Sequence, residues 1–255
     1  ASTYTGTITV NANFQVKVDN TTSSNFSIAG GTMDLSGSTG TMTVRGTFTQ
    51  TGGVFITNAS GGVLNLRGNF TSSSGTFTAT TGSITRFSTA SLTINNTPTF
   101  YNVEFSNTVG ASGLTFTISN AITVLGTLLY NSGGATTTRT ITLNTGTLNL
   151  AGNITSLGNC TSTSGGGTAT IILNGSSDQS ITGPATDDGR APLPSLQLNP
   201  AATRIYTITN AITLAGGLTL AGGGNSITIN TGTINVKGGL TITNTNTSGG
   251  GSATI

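Results

Sequence analysis

Asp178, Asp187 and Asp188 are the most closely spaced acidic residues of the chain, and Arg190 follows directly behind them. Convergent carboxylates beside a basic group are what polysaccharide cleavage requires, and carboxylates of this kind also bind Ca²⁺. The setting argues for something plainer. Asp187-Asp188-Gly189-Arg190 stands between Pro184 and the pair Pro192 and Pro194, which is the composition of an exposed loop. A solvated turn is therefore the expected role of this segment, and no catalytic, cofactor-binding or metal-binding residue is assigned. The chain has no His and no Trp, and its single Cys160 cannot form an intrachain disulfide, which removes most metal and thiol chemistry. Cys160 is expected as a small buried or half-buried filler.

A second chemistry suggested by spacing is the ordering of water by flat ranks of threonine. Thr47-Phe48-Thr49, Thr76-Phe77-Thr78 and Thr115-Phe116-Thr117 alternate in the required way. Their separations of 29 and 39 residues are unequal, however, and Thr115 becomes Ile205 in an internal repeat described below. Ice binding, like polysaccharide binding, is kept as an alternative to a structural role.

Only 5% of residues are charged, and the formal net charge is +2. Lys17, Arg45, Arg67, Arg86, Arg139, Arg190, Arg204 and Lys237 are scattered, so no basic patch for a nucleic acid is expected. No apolar run reaches the length of a membrane helix, roughly 18 residues or more, and no charged start precedes an apolar core as in a signal peptide. Asn-x-Ser/Thr triplets at Asn58, Asn69 and Asn153 are what this composition produces by chance.

The elements behind these residues are short and extended. Met42-Thr43-Val44, Leu64-Asn65-Leu66 and Leu218-Thr219-Leu220 alternate apolar and polar, the period of a strand with one buried face. Nothing has the period of an amphipathic helix, and Thr, Ile and Val favour extended backbone. A seven-residue word recurs at 31–37, 40–46, 62–68, 146–152 and 232–238, opening and closing on Gly. Its third and fifth residues, among them Met42, Val44, Leu64, Leu66, Leu148, Leu150, Ile234 and Val236, are expected to point inward.

Val44-Arg45-Gly46-Thr47-Phe48-Thr49 aligns with Leu66-Arg67-Gly68-Asn69-Phe70-Thr71 at an offset of 22, and Phe55 with Phe77 at the same offset. A longer repeat relates residues 115–171 to 205–255, at an offset of 90 at Phe116 and Tyr206 and of 86 at Ile141 and Ile227. The prediction is all-β: a parallel β-helix, or β-solenoid, with rungs of roughly 20–30 residues, forming one segment over 1–255. Tandem β-sandwich domains are the alternative architecture, since an 86–90-residue unit would suit one. In the solenoid, Phe48, Phe55, Phe70, Phe77, Phe116 and Tyr206 are expected in the core.

Five stretches carry a resemblance. Thr81–Phe87, Ser91–Asn96 and Pro98–Asn107 resemble the recurring unit of large, low-charge β-strand-repeat surface proteins exported by bacteria, and Gly167–Gly183 followed by Leu193–Leu198 is similar to it. The resemblance covers most of 31–255 and implies a β-solenoid of the adhesin or autotransporter-passenger kind. Its implied role is a non-catalytic, extracellular or cell-surface stalk, adhesin or filament. The expected partners are identical subunits or adjacent repeats of the same chain, stacked end to end, with surface polysaccharide as a further one. Gly165–Ile171 runs on into Ile172-Leu173-Asn174-Gly175, whereas Gly249–Ile255 closes the sequence, so the chain is expected to be a segment or a subunit covered by identical neighbours.

Overall fold

The computed structural model describes residues 7–9, 25–88, 90–108, 113–133, 139–157, 162–185, 189–246 and 248–255. Among them there is no helix, and every paired strand is parallel to its neighbour in a β-solenoid of about nine turns. Antiparallel sandwiches are thereby excluded.

Three long sheets and a two-stranded one, Ala211–Leu214 with Thr233–Val236, form three faces, which the chain visits in a fixed order. Face one includes Phe26–Ile28, Leu92–Asn95, Gly113–Ile118 and Thr140–Asn144. Face two includes Thr99–Phe100, Ala121–Val124, Thr147–Leu150, Thr170–Leu173 and Ser195–Leu198. Face three holds ten strands, from Thr41–Val44 to Gly249–Gly250. Two strands of nine residues, Phe48–Ile56 and Phe70–Thr78, serve faces one and two together; the register shifts around Thr51, where Gly52 and Gly53 let the strand turn the corner.

The 22-residue offset is the length of one turn, because Val44 pairs with Leu66, Phe48 with Phe70 and Phe55 with Phe77. Other turns vary: Ile84 pairs with Asn102 after only 18 residues, shorter than expected, and Phe116 with Leu143 after 27. Corner length absorbs the difference while the strands keep their alternation.

Period-2 alternation then builds the core. Met42, Val44, Leu64, Leu66, Leu148, Leu150 and Ile234 are buried as expected, and Val236 is half-buried against the same core. Phe26, Phe48 and Phe70 stack with ring centroids 5.3 and 5.1 Å apart, and Phe55 stacks on Phe77 at 5.6 Å. Phe116 and Tyr206 are fully buried, so these aromatics fill the solenoid rather than line a sugar-binding strip on its surface. Phe77 is partly exposed but still packs edge-on to Phe70 and Phe100.

The long repeat has an unexpected geometry. Face one climbs four turns from Thr115 through Thr142, Gly166 and Leu193 to Leu214. The copy of Thr115, Ile205, stands instead on face three, one face short of that climb. Each word of the first copy therefore returns on a different face: Ala121–Val124 on face two becomes Ala211–Leu214, whose Leu214 pairs with Leu193 on face one.

Corners are equally transferable. Thr145 and Gly146, with φ of 52° and 59°, join faces one and two, while their copies Thr231 and Gly232, with φ of 57° and 62°, join faces three and one. A β-branched residue is costly in this left-handed region. The hydroxyl anchors it in both copies, donating to Ile118 O at 2.8 Å and to Ile208 O at 2.6 Å.

Candidate functional site

Asp178 sits at the corner leading into Gln179–Thr182, exposed, with Oδ1 accepting the Ile205 N–H one turn on at 2.9 Å. Asn25, Asn69, Asn102 and Asn153 do the same for Thr47, Thr93, Thr127 and Ser180, each at 2.7 or 2.8 Å. Where the backbone ladder breaks at a corner, a side-chain oxygen takes the N–H that would otherwise lack an acceptor. Asp178 is thus the charged version of a corner cap. The sequence signal for these caps is a small polar residue recurring one turn apart, and it becomes legible only once turn lengths are known. Arg190 is half-buried at the next corner, beyond Gln179–Thr182, whereas Asp187, Asp188, Cys160 and Lys17 lie outside the described residues.

The same accounting explains the Asn-x-Ser/Thr triplets. Asn58 is 1% exposed and donates to Gly40 O, while Asn69 and Asn153 are caps.

A charged pair stands on face three. Glu104 is 5% exposed; its Oε2 accepts from Arg86 Nε at 2.7 Å and its Oε1 from Asn131 Nδ2 at 3.3 Å. Held between a guanidinium and an amide, the buried carboxylate has a partner on each oxygen. Among the described residues no group of three or more His, Cys, Asp or Glu could hold a metal ion.

Face one presents the opposite chemistry. Thr49, Thr71 and Asn95 form one outward column, and Thr93, Thr117 and Asn144 another. Asn95 Nδ2 donates to Thr71 Oγ1 at 3.1 Å and Ser119 Oγ to Asn95 Oδ1 at 2.7 Å, so the side chains form a second ladder along the axis. The Thr-Phe-Thr triplets do not share a rank: Thr47 and Thr115 stand on face one, whereas Thr76 pairs with Val54 on face two.

Leu220, Ile227, Ile229, Ile242, Ala253 and Ile255 line an open groove of about 420 Å³ beside Gly249–Gly251, and Asn244, Asn246 and Ser248 give it a polar side. At the first copy the corresponding Tyr130, Ile141, Leu143, Ser156, Ala169 and Ile171 are all buried. A Cβ at Gly166 would meet Ala215 Cβ at 2.4 Å and Leu193 O at 2.8 Å, whereas one at the corresponding Gly250 would meet nothing. The groove is the place where the first copy receives its next turn.

On one strand the second copy is the more polar: Phe116 becomes Tyr206, and Leu114, just before the repeat, stands where the second copy has Arg204. The Tyr206 hydroxyl is buried without a partner, unlike that of Tyr130, which donates to Ile141 O at 2.7 Å. Burial, with a smaller push from Asp178 against the pull of Arg204, raises the Tyr206 phenol from the usual 10 to about 12. The folded state thus holds the proton more tightly, so its advantage is complete below pH 10 and declines between pH 10 and 12. Tyr206→Phe is expected to raise stability near neutrality by about 1 kcal/mol and to weaken this alkaline decline. Urea unfolding at pH 7, 10 and 11 checks both; a loss of stability at pH 7 would show that the hydroxyl is satisfied.

Fold and surface together define a parallel β-solenoid with an apolar interior and a nearly uncharged exterior. No protein family, curated protein or solved structure matches the chain.

Proposed function

We propose that the chain is a non-catalytic structural element of an extracellular or cell surface, a segment or subunit of a stalk, adhesin or filament like the bacterial β-strand-repeat proteins it resembles. The observation that carries this reading is the displacement of the long repeat from face to face. A catalytic cleft needs side chains of several turns converging on one face. A repeat that returns on another face preserves only what all faces share, namely inward Leu, Ile and Val and outward Thr and Asn. What such a chain supplies is length and rigidity through a continuous parallel ladder.

Its partners are turns of its own kind, from identical subunits or adjacent repeats, seated end to end on the groove where Ile242 and Ile255 stand exposed. Stacking of this type is heterologous and does not close, so it yields filaments. Electron microscopy and light scattering of the purified chain at micromolar concentration test the proposal. Expected are unbranched, end-to-end assemblies that Ile242→Lys abolishes while leaving the solenoid folded. Dispersed monomers at every concentration, or assemblies unaffected by that substitution, would overturn it. The uncharged columns of face one favour, as a second reading, adhesion to an uncharged polymer or to ice.

A further inference from the structure

Asn174-Gly175 is the one Asn-Gly pair of the sequence. In such a pair the glycine amide nitrogen attacks the asparagine Cγ, a C–N bond closes a five-membered succinimide, and the side-chain nitrogen departs as ammonia. Water then opens either imide carbonyl, leaving an aspartyl or an isoaspartyl linkage. Glycine promotes the reaction because no side chain hinders the approach.

Asn174 is exposed at the corner between Thr170–Leu173 and Gln179–Thr182, so water and base reach it freely. The nucleophile is not free. Gly175 is buried, and its N–H donates to Gln179 Oε1 at 3.1 Å. Gln179 is itself 3% exposed, and its Nε2 donates to Leu150 O at 3.1 Å and to Gly152 O in the turn below. Those two carbonyls fix which end of the amide faces Gly175. Gly175 is also pinned from beneath, since even a Cβ there would lie 2.2 Å from Ala151 O.

We propose that Asn174 is a latent deamidation site and that Gln179 is its guard. An acceptor oxygen against the Gly175 nitrogen opposes loss of the proton that attack requires, and the pinned backbone keeps the nitrogen from swinging toward Cγ. While the turn is closed the pair is inert; when Gln179–Thr182 opens, the reaction becomes available. An isoaspartyl product lengthens the main chain at a corner where the Asn174 N–H donates to Leu150 O, and it adds a carboxylate to the corner that already carries Asp178, so the turn does not close again as before. The modification would be an irreversible record of local opening in a long-lived fibre.

Peptide mass spectrometry of the 255-residue chain, incubated at pH 8.5 and 37 °C, tests this. Asn174 is expected to deamidate more than about tenfold faster in urea than in the folded protein. Gln179→Met keeps the side-chain length but cannot accept from Gly175, and is expected to raise the rate in the folded protein by about tenfold. Ile181→Val, a core truncation on the same strand that leaves the guard in place, controls for general loosening and is expected to stay within about threefold of the parent. Equal rates in folded and unfolded protein, or equal acceleration by Gln179→Met and Ile181→Val, would overturn the assignment.

Discussion

Phe48→Ala is expected to lower the stability of the solenoid by about 3–5 kcal/mol, the range for emptying a fully packed aromatic site. The ring stands at the centre of the aromatic column, 5.3 Å from Phe26, 5.0 Å from Phe55 and 5.1 Å from Phe70 by ring centroids, with Phe77 at 6.2 Å. Backbone ladders above and below hold those neighbours apart, so the space cannot collapse. Each turn touches only the next ones, and the damage is therefore local at first. Hydrogen exchange should show protection lost over roughly residues 26–78 while turns beyond Phe116 keep theirs. Phe77→Ala, at a half-buried ring, should cost less. A loss below about 1 kcal/mol for Phe48→Ala, or uniform loss of protection along the chain, would show that the column does not carry the early turns.

Gly152→Ala is expected to cost about 2–4 kcal/mol, more than an added methylene usually does, because the obstacle is main chain and cannot rotate away. The new Cβ would lie 2.2 Å from Gly126 O and 2.6 Å from Gly126 C. Relief requires prising two turns apart where Ala151 N–H donates to Val124 O at 2.9 Å and Leu128 N–H to Asn153 O at 2.8 Å. The gain from a stiffer unfolded chain, about 0.4–1 kcal/mol, offsets little of this. Gly68 over Gly46 and Gly238 over Gly216 repeat the contact, which explains the glycine that closes the seven-residue word at 68, 152 and 238. Gly239→Ala, with nothing within 4 Å of its Cβ, should change stability by no more than about 0.5 kcal/mol. Thermal unfolding of the two variants side by side decides the matter; equal effects would show that the turns accommodate the added methyl and that close approach is not what requires the glycine.

Much of this architecture was legible without coordinates. Alternation is local, so the inward set from Met42 to Ile234 follows from sequence, and the 22-residue offset gave the register wherever neighbouring turns had equal length. The closing glycines were also visible, though their reason, backbone lying against backbone, was not. Hidden were the contacts that depend on the exact length of each turn. Arg86 meets Glu104 across 18 residues, Asp178 caps Ile205 across 27, and Gln179 reaches back to Leu150 across 29. A strand word is the same on every face, so nothing in its residues says which face it will occupy. Alternation and the short repeat were enough to predict strands with an apolar inner and an uncharged outer face, and to favour a solenoid over sandwiches, because burial of alternate side chains requires no knowledge of register. The parallel pairing, the return of the long repeat on another face and the contacts of Gln179 with Gly175 came from the tertiary structure, because they depend on the summed lengths of successive corners, which set what lies above what.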